Sequence, residues 1–297
     1  MQSTNNISLM HEISKYQTAL NNHPFTLSDE EVSKRVRAIL SEKRAENDNQ
    51  KVYRELYSCI DMTTLNSTDT RDHVWKFTQK VNDFEGSNVE VENVAAICVY
   101  PNFVKTVKEA LTADVKIASV CAGFPSSQTF SEIKTVETAL AVADGADEID
   151  IVINLGLFLS DDYEELCEEL IEIKEACHEA KLKIILETGA LQSAEKIHKA
   201  SILSLYSGAD FLKTSTGKVY SGATPEAAYV MCLAIKSYFK KTGFKAGIKI
   251  AGGVASVEDA VTYYTLVREV LGNEWCHKDL FRIGASRLAD TLLKAIG

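Results

Sequence analysis

Two lysines stand inside apolar runs, where a charge is costly unless it is paired or employed. One run is Asp210-Phe211-Leu212-Lys213-Thr214-Ser215-Thr216-Gly217-Lys218, and the other is Gly247-Ile248-Lys249-Ile250-Ala251-Gly252-Gly253. Strand alternation puts Ile248 and Ile250 on one face and Lys249 on the other, with the small neighbours Gly247 and Ala251. If Lys213 faces the same way, two ammonium groups converge from strands about 4.8 Å apart. Like charge and burial both disfavour the protonated form, so at least one amine is neutral near pH 7. A neutral lysine of this kind is prepared to form a Schiff base with a carbonyl. A carboxylate belongs to the same set. In Asp147-Glu148-Ile149-Asp150-Ile151-Val152-Ile153-Asn154 the three isoleucines share one face, and Asp150 points the other way in mid-strand. It can pair with the lysines and relay protons through water. Glu148 lies nearer the strand start and is assigned to a structural end. For each of these charges a plain ion pair is the competing reading.

A second pattern suits phosphate. Gly217, Gly252 and Gly253 follow the two lysine strands, and Gly284 to Ser286 opens the last helix. Glycine lets backbone N–H groups approach an anion, and a helix N-terminus adds a favourable dipole. Ser286 can donate a hydroxyl, and Lys218 or Arg287 can add charge. Asp61, Cys98 and Thr216 are expected to line the same pocket. No histidine falls at a strand end and no metal-ligand spacing is present, so neither metal nor cofactor is expected.

These residues need a frame. Eight apolar runs read as strands: 58–62, 95–100, 116–122, 148–154, 183–187, 210–215, 247–251 and 280–283. Each precedes a plausible helix. Ser160, Thr224 with Pro225, and Ser256 with Asp259 are expected to cap three of those helices. The pattern predicts an α/β fold, a (β/α)8 TIM barrel over residues 51–297, with an N-terminal helical extension over 1–50. Ser28 with Glu31 opens a helix in the extension, and 41–50 reads as a helix end or a linker. A doubly wound open sheet is the competing fold. It would carry a glycine-rich turn after the first strand, where this chain has Asp61-Met62-Thr63-Thr64.

Composition narrows the partners. The chain has 297 residues and a net charge of −10, which repels nucleic acid and anionic membranes. A phosphorylated ligand must therefore be attracted locally. Seven cysteines without a C-x-x-C pair fit a reducing compartment. The N-terminus lacks the pattern of a secretory signal and no apolar run is long enough for a span, so a soluble, cytoplasmic protein is expected.

The strings IDMTTLN (60–66), AAICVYP (95–101), GADEIDIVIN (145–154), ETG (187–189), GADFLKTSTGK (208–218), IKIAGGV (248–254) and FRIGAS (281–286) together resemble the deoxyribose-phosphate aldolase family. The resemblance covers the chain from about residue 57 onward, with the segments in the family's order. It implies reversible cleavage of 2-deoxy-D-ribose 5-phosphate to D-glyceraldehyde 3-phosphate and acetaldehyde, in deoxyribonucleoside catabolism. It implies Lys213 as the Schiff-base lysine, Lys249 as the neighbour that lowers its pKa and Asp150 as the proton relay. Gly217, Gly252, Gly253, Gly284 and Ser286 match the phosphate-binding segments, and Lys218 a polar contact near the sugar phosphate. The expected partners are a sugar phosphate and further copies of the chain, in a homodimer or other homo-oligomer. Ile250 stands where the family often has proline, and Arg287 where a small polar residue is common. The chain stops at Gly297 without the terminal tyrosine that assists proton transfer in some members. A transaldolase-like barrel enzyme and a catalytically silent sugar-phosphate sensor are the competing functions.

Overall fold

The computed structural model describes residues 15–297. Eight strands close into a parallel barrel in chain order. They are β1 (Ile60–Thr63), β2 (Ala96–Val99), β3 (Lys116–Val120), β4 (Glu148–Val152), β5 (Lys181–Ile185), β6 (Phe211–Lys213), β7 (Gly247–Ala251) and β8 (Phe281–Ala285). The open sheet is thereby excluded, since β1 pairs with β8 through Ile60–Ile283, Asp61–Gly284 and Met62–Ala285. Each strand overlaps its expected run. The expected β5 began two residues late because its charged start, Lys181-Leu182-Lys183, does not read as an apolar run.

Alternation divides the side chains as the pleat requires. Ile97, Ile149, Ile151, Leu182, Ile184, Leu212, Ile248, Ile250 and Ile283 are buried in the main core, against the helices. Ile250, in place of proline, is one of these and points away from Lys249. The barrel interior is divided. Ala96, Cys98, Ala118 and Val120 form a small apolar cluster on the β2–β3 side. The other strands fill the remaining space with Asp61, Glu148, Asp150, Lys183, Lys213, Lys249 and Arg282, all buried. Barrels of this kind usually fill that space with branched apolar side chains.

The helices begin largely where the caps were placed. Ser28 and Glu31 form a capping box for the helix Asp29–Asn47. Thr224 caps Pro225–Thr242, and Ser256 with Asp259 boxes Val257–Leu271. Ser160 does not cap. Asn154 accepts N–H bonds from Gly156 and Leu157 and so nucleates an extra short helix, Leu155–Leu159. Ser160 closes that helix, and Asp162 caps the long helix Tyr163–Ala176 instead.

The described part of the extension lies on the barrel's helical shell; its first 14 residues fall outside the described region. Segment 41–50 is neither wholly linker nor helix end. Helix Asp29–Asn47 runs through most of it, and Gln50–Ser58 then crosses the expected boundary and leads into β1. Val32 and Val36 are buried. Asn47 donates to Thr265 Oγ1 at 3.0 Å, the Asp29 carboxylate accepts from Ala194 N at 2.7 Å, and His23 Nδ1 lies 2.7 Å from Ser237 Oγ. Among the described residues no helix is long and apolar enough to cross a membrane.

Candidate active site

Lys213 and Lys249 are direct register partners on β6 and β7. Their side chains meet at one atom: Lys213 Nζ donates to Asp150 Oδ2 at 2.8 Å and Lys249 Nζ to the same oxygen at 2.7 Å. The other Asp150 oxygen accepts from Lys183 at 3.0 Å. Glu148 is 2.5 Å from Lys183 and 2.8 Å from Arg282, while Asp61 is 2.6 Å from Arg282 and 2.5 Å from Lys249. Asp150, Lys183, Glu148, Arg282, Asp61 and Lys249 thus close a ring of six alternating charges. The ring is neutral when all six are ionised. Lys213 hangs from it as a seventh group, the one positive charge in excess.

The proton affinities follow from that arrangement. Burial lowers the Lys213 pKa, and the Lys249 ammonium lowers it further against the opposing pull of Asp150. Lys249 is equally buried, but Asp150 and Asp61 together outweigh the burial and raise its pKa. Lys183 is raised by Asp150, Asp61 and Glu148, again against burial. Burial works against the Asp150 carboxylate too, yet Lys183, Lys213 and Lys249 hold it well below the ordinary range. The unequal sharing of carboxylates distinguishes the two lysines: Lys249 has two, Lys213 only a shared one.

Access points the same way. A cavity of about 520 Å³ opens at the C-terminal end of the strands, and Lys213 lines it while Lys249 does not. That volume is within the usual range for small-molecule sites. Thr216, Gly217, Lys218, Gly252, Gly253, Gly284, Ser286 and Arg287 all line it, as the sequence led us to expect. Asp61 and Cys98 do not. Asp61 points into the barrel beneath the cavity as part of the ring, and Cys98 belongs to the apolar interior cluster, where burial pushes its thiol pKa up. Both lie on inward faces, but deeper in the barrel than the pocket they were expected to line. Gly284 is a residue of β8, not of the following loop. A Cβ there would come within 3.1 Å of Lys249 Cε, so its absence leaves the lysine its space.

The rim is set by close backbone packing. A Cβ on Gly222 would fall 2.1 Å from the Gly252 carbonyl oxygen, so the loops after β6 and β7 touch main chain to main chain. Glu187, held at a left-handed φ of 53°, accepts from Thr216 N at 3.1 Å and from Thr216 Oγ1 at 2.5 Å. This clamp orders the turn carrying Gly217 and Lys218, and Lys218 Nζ reaches the Leu65 carbonyl across the mouth.

Lys183 and Arg282 were not picked out from the sequence, although the signal was there. Leu182 and Ile184 flank Lys183, and Phe281 and Ile283 flank Arg282, in the same alternation that placed Lys249 inward. His73 and Lys80, from the helix Arg71–Phe84, also line the cavity. They sit on a helix rather than a strand end, and strand patterning gives no sign of them.

A parallel barrel with a charged interior and a glycine-lined cavity at its C-terminal mouth has the architecture of a barrel enzyme with a small-molecule site. The chain belongs to the DeoC/LacD family of aldolases, which its residues 56–268 match. It is 43% identical over 242 residues to the deoxyribose-phosphate aldolase of Bos taurus, covering 78% of this chain and 76% of the relative. It is 42% identical over 248 residues to that of Homo sapiens, covering 80% and 78%. A solved tetrameric deoxyribose phosphate aldolase from Aeropyrum pernix superposes with a TM-score of 0.66 at 25% identity, over 87% of this chain and 97% of that one.

Proposed function

We propose that this aldolase works through a Schiff base on Lys213 and cleaves 2-deoxy-D-ribose 5-phosphate to D-glyceraldehyde 3-phosphate and acetaldehyde. The observation that carries the reading is the single excess ammonium: of the lysines around Asp150, Lys213 is the one that reaches the cavity and the one whose proton is destabilised. The substrate follows from the named relatives and from the glycine-lined rim, which with Ser286, Lys218 and Arg287 suits a terminal phosphate.

In the cleavage direction the neutral amine adds to the C1 aldehyde of the open-chain sugar and water is lost, leaving a protonated imine. The C3 hydroxyl gives up its proton, the C2–C3 bond breaks, and its electron pair flows into the imine to form an enamine. Glyceraldehyde 3-phosphate leaves. Protonation at C2 and hydrolysis then release acetaldehyde and the free lysine. Asp150, kept ionised by its three lysines, can serve as the accepting end of a water relay for the C3 hydroxyl proton. In this reading it orients the lysines and balances the iminium charge, while the C3 proton passes to water held at the site. Phosphate contacts supply binding energy remote from the reacting carbons and fix their position.

Borohydride reduction in the presence of acetaldehyde, followed by peptide mapping, tests the proposal. An adduct on Lys213 is expected, and so is loss of both adduct and turnover in Lys213→Ala. Wild-type turnover in that variant would refute it. We further propose a cytoplasmic homo-oligomer, supported by the cysteine usage, the acidic surface and the tetrameric archaeal relative. Light scattering during size exclusion tests the assembly: a single monomer mass would sink that part.

A further inference from the structure

The ionic ring passes through the whole barrel. Its upper part, Asp150 with Lys249, carries Lys213, which lines the cavity. Its lower part, Glu148 with Arg282, lines a separate cleft of about 290 Å³ at the opposite end of the strands. Arg282 is bidentate to Glu148, with contacts of 2.8 and 3.1 Å, and also reaches Asp61 at 2.6 Å. Two arms connect this pair to the reactive amine. One runs from Glu148 through Lys183 to Asp150, the other from Arg282 through Asp61 and Lys249 to Asp150. No member of the ring is more than marginally exposed: Glu148 and Arg282 are each 2% exposed and the others 0%. Salt and water therefore screen these interactions poorly.

We infer that Glu148 and Arg282, on the barrel floor and outside the substrate cavity, are positioning residues that set how readily Lys213 gives up its proton. The inference rests on the proposed role of Lys213 as the nucleophile. The physical reason is the charge count. With the ring neutral, Lys213 is one positive charge on a balanced set. Removing the Arg282 charge leaves the ring at −1, which favours the Lys213 ammonium. Removing the Glu148 charge leaves it at +1, which disfavours it. Two substitutions at contacting residues, neither of which touches substrate, should thus move Lys213 in opposite directions. Mere loss of packing has no such sign.

The experiment follows the pH dependence of acetaldehyde trapping on Lys213 by cyanoborohydride, mapped to the peptide, in the full-length chain. For Arg282→Gln the midpoint should rise by about 0.5–1 unit, less than the ~1–3 units a charge in direct contact produces. For Glu148→Gln it should fall by a similar amount. Arg282→Lys keeps the charge and should return the midpoint to the wild-type value. Should Arg282→Gln not accumulate as folded protein, Glu148→Gln, which preserves shape, decides alone: a fall supports the inference, and an unmoved or raised midpoint overturns it. If Lys213 is trapped in the wild type but both variants share its midpoint, or shift in the same direction, the floor pair has no such role and the Schiff-base reading stands. If the wild type gives no Lys213 adduct, both proposals fail together.

Discussion

Asp150 accepts from three lysines, and each of them depends on it differently. Lys183 and Lys249 have other carboxylates to keep them protonated; Lys213 has none. Substitutions at this point should therefore separate charge from chemistry. In Lys249→Leu the like charge nearest Lys213 is gone, so the Lys213 pKa should rise and the acid limb of the activity profile should move up by about 1 unit. A profile that stays in place would remove the electrostatic coupling from the account. Asp150→Asn should do the reverse. It withdraws the anion that favours the Lys213 ammonium, so the acid limb should move to lower pH, while turnover falls by roughly 10²-fold or more through lost orientation and charge balance. Turnover measured across pH for both variants gives each sign directly.

Strand ends and the loops beyond them convert those charges into a site. β6 and β7 present their lysines in register, and β8 contributes a residue with no side chain beside Lys249. Past the strands, Gly222 lies against the Gly252 backbone and Gly189 against the main chain of Ser221, where a Cβ would come within 2.4 Å of a carbonyl oxygen. Neither contact can relax by rotating a side chain. Gly222→Ala must push the β6 and β7 loops apart and open the rim proposed to hold the phosphate. We expect KM for the sugar phosphate to rise at least tenfold with a smaller loss in kcat, because the rim contributes remote binding energy. A larger effect on kcat than on KM would show that the loop positions the reacting carbons instead. Gly284→Ala addresses the strand: the added methyl must displace Lys249 or Ala251, and the Lys213 trapping midpoint should shift even though phosphate affinity is retained.

The described part of the extension packs on the barrel, and pH reports on their joint. His198 is buried in the helix Ala194–Tyr206 with its ring stacked on Phe25 of the extension, centroids 4.7 Å apart. Burial, with a smaller contribution from His23, lowers its pKa to about 4. An unfolded chain takes up this proton near pH 6.5, the folded one only near pH 4. Stability from this group is therefore complete above pH 6.5, falls as pH drops towards 4, and is constant below that. The loss should be on the order of 1–3 kcal/mol across the window. Urea denaturation at a series of pH values checks this, and His198→Leu should flatten the slope between pH 6.5 and 4.5. The depressed carboxylates of the ring begin to lose their contribution as pH falls below about 5, where the unfolded chain takes up their protons, so the slope above pH 5 is free of them.

The periodic runs of isoleucine, valine and leucine, and the helical segments between them, made the closed barrel readable in the chain alone, because alternation and strand–helix spacing are local properties. The same local rule turned Asp150 and Lys249 inward and marked the glycines at the rim. It also held for Lys183 and Arg282, but a single inward charge in a short strand does not reveal how many partners await it. Which of several buried amines is left without a full complement of carboxylates depends on β1, β4, β5 and β8 converging from positions more than 200 residues apart, such as Asp61 and Arg282. Depth along the barrel axis was likewise hidden, which is why Asp61 and Cys98 fell below the cavity rather than on its wall. Electrostatic balance is a property of the closed ring, and it exists only once the first and last strands have met.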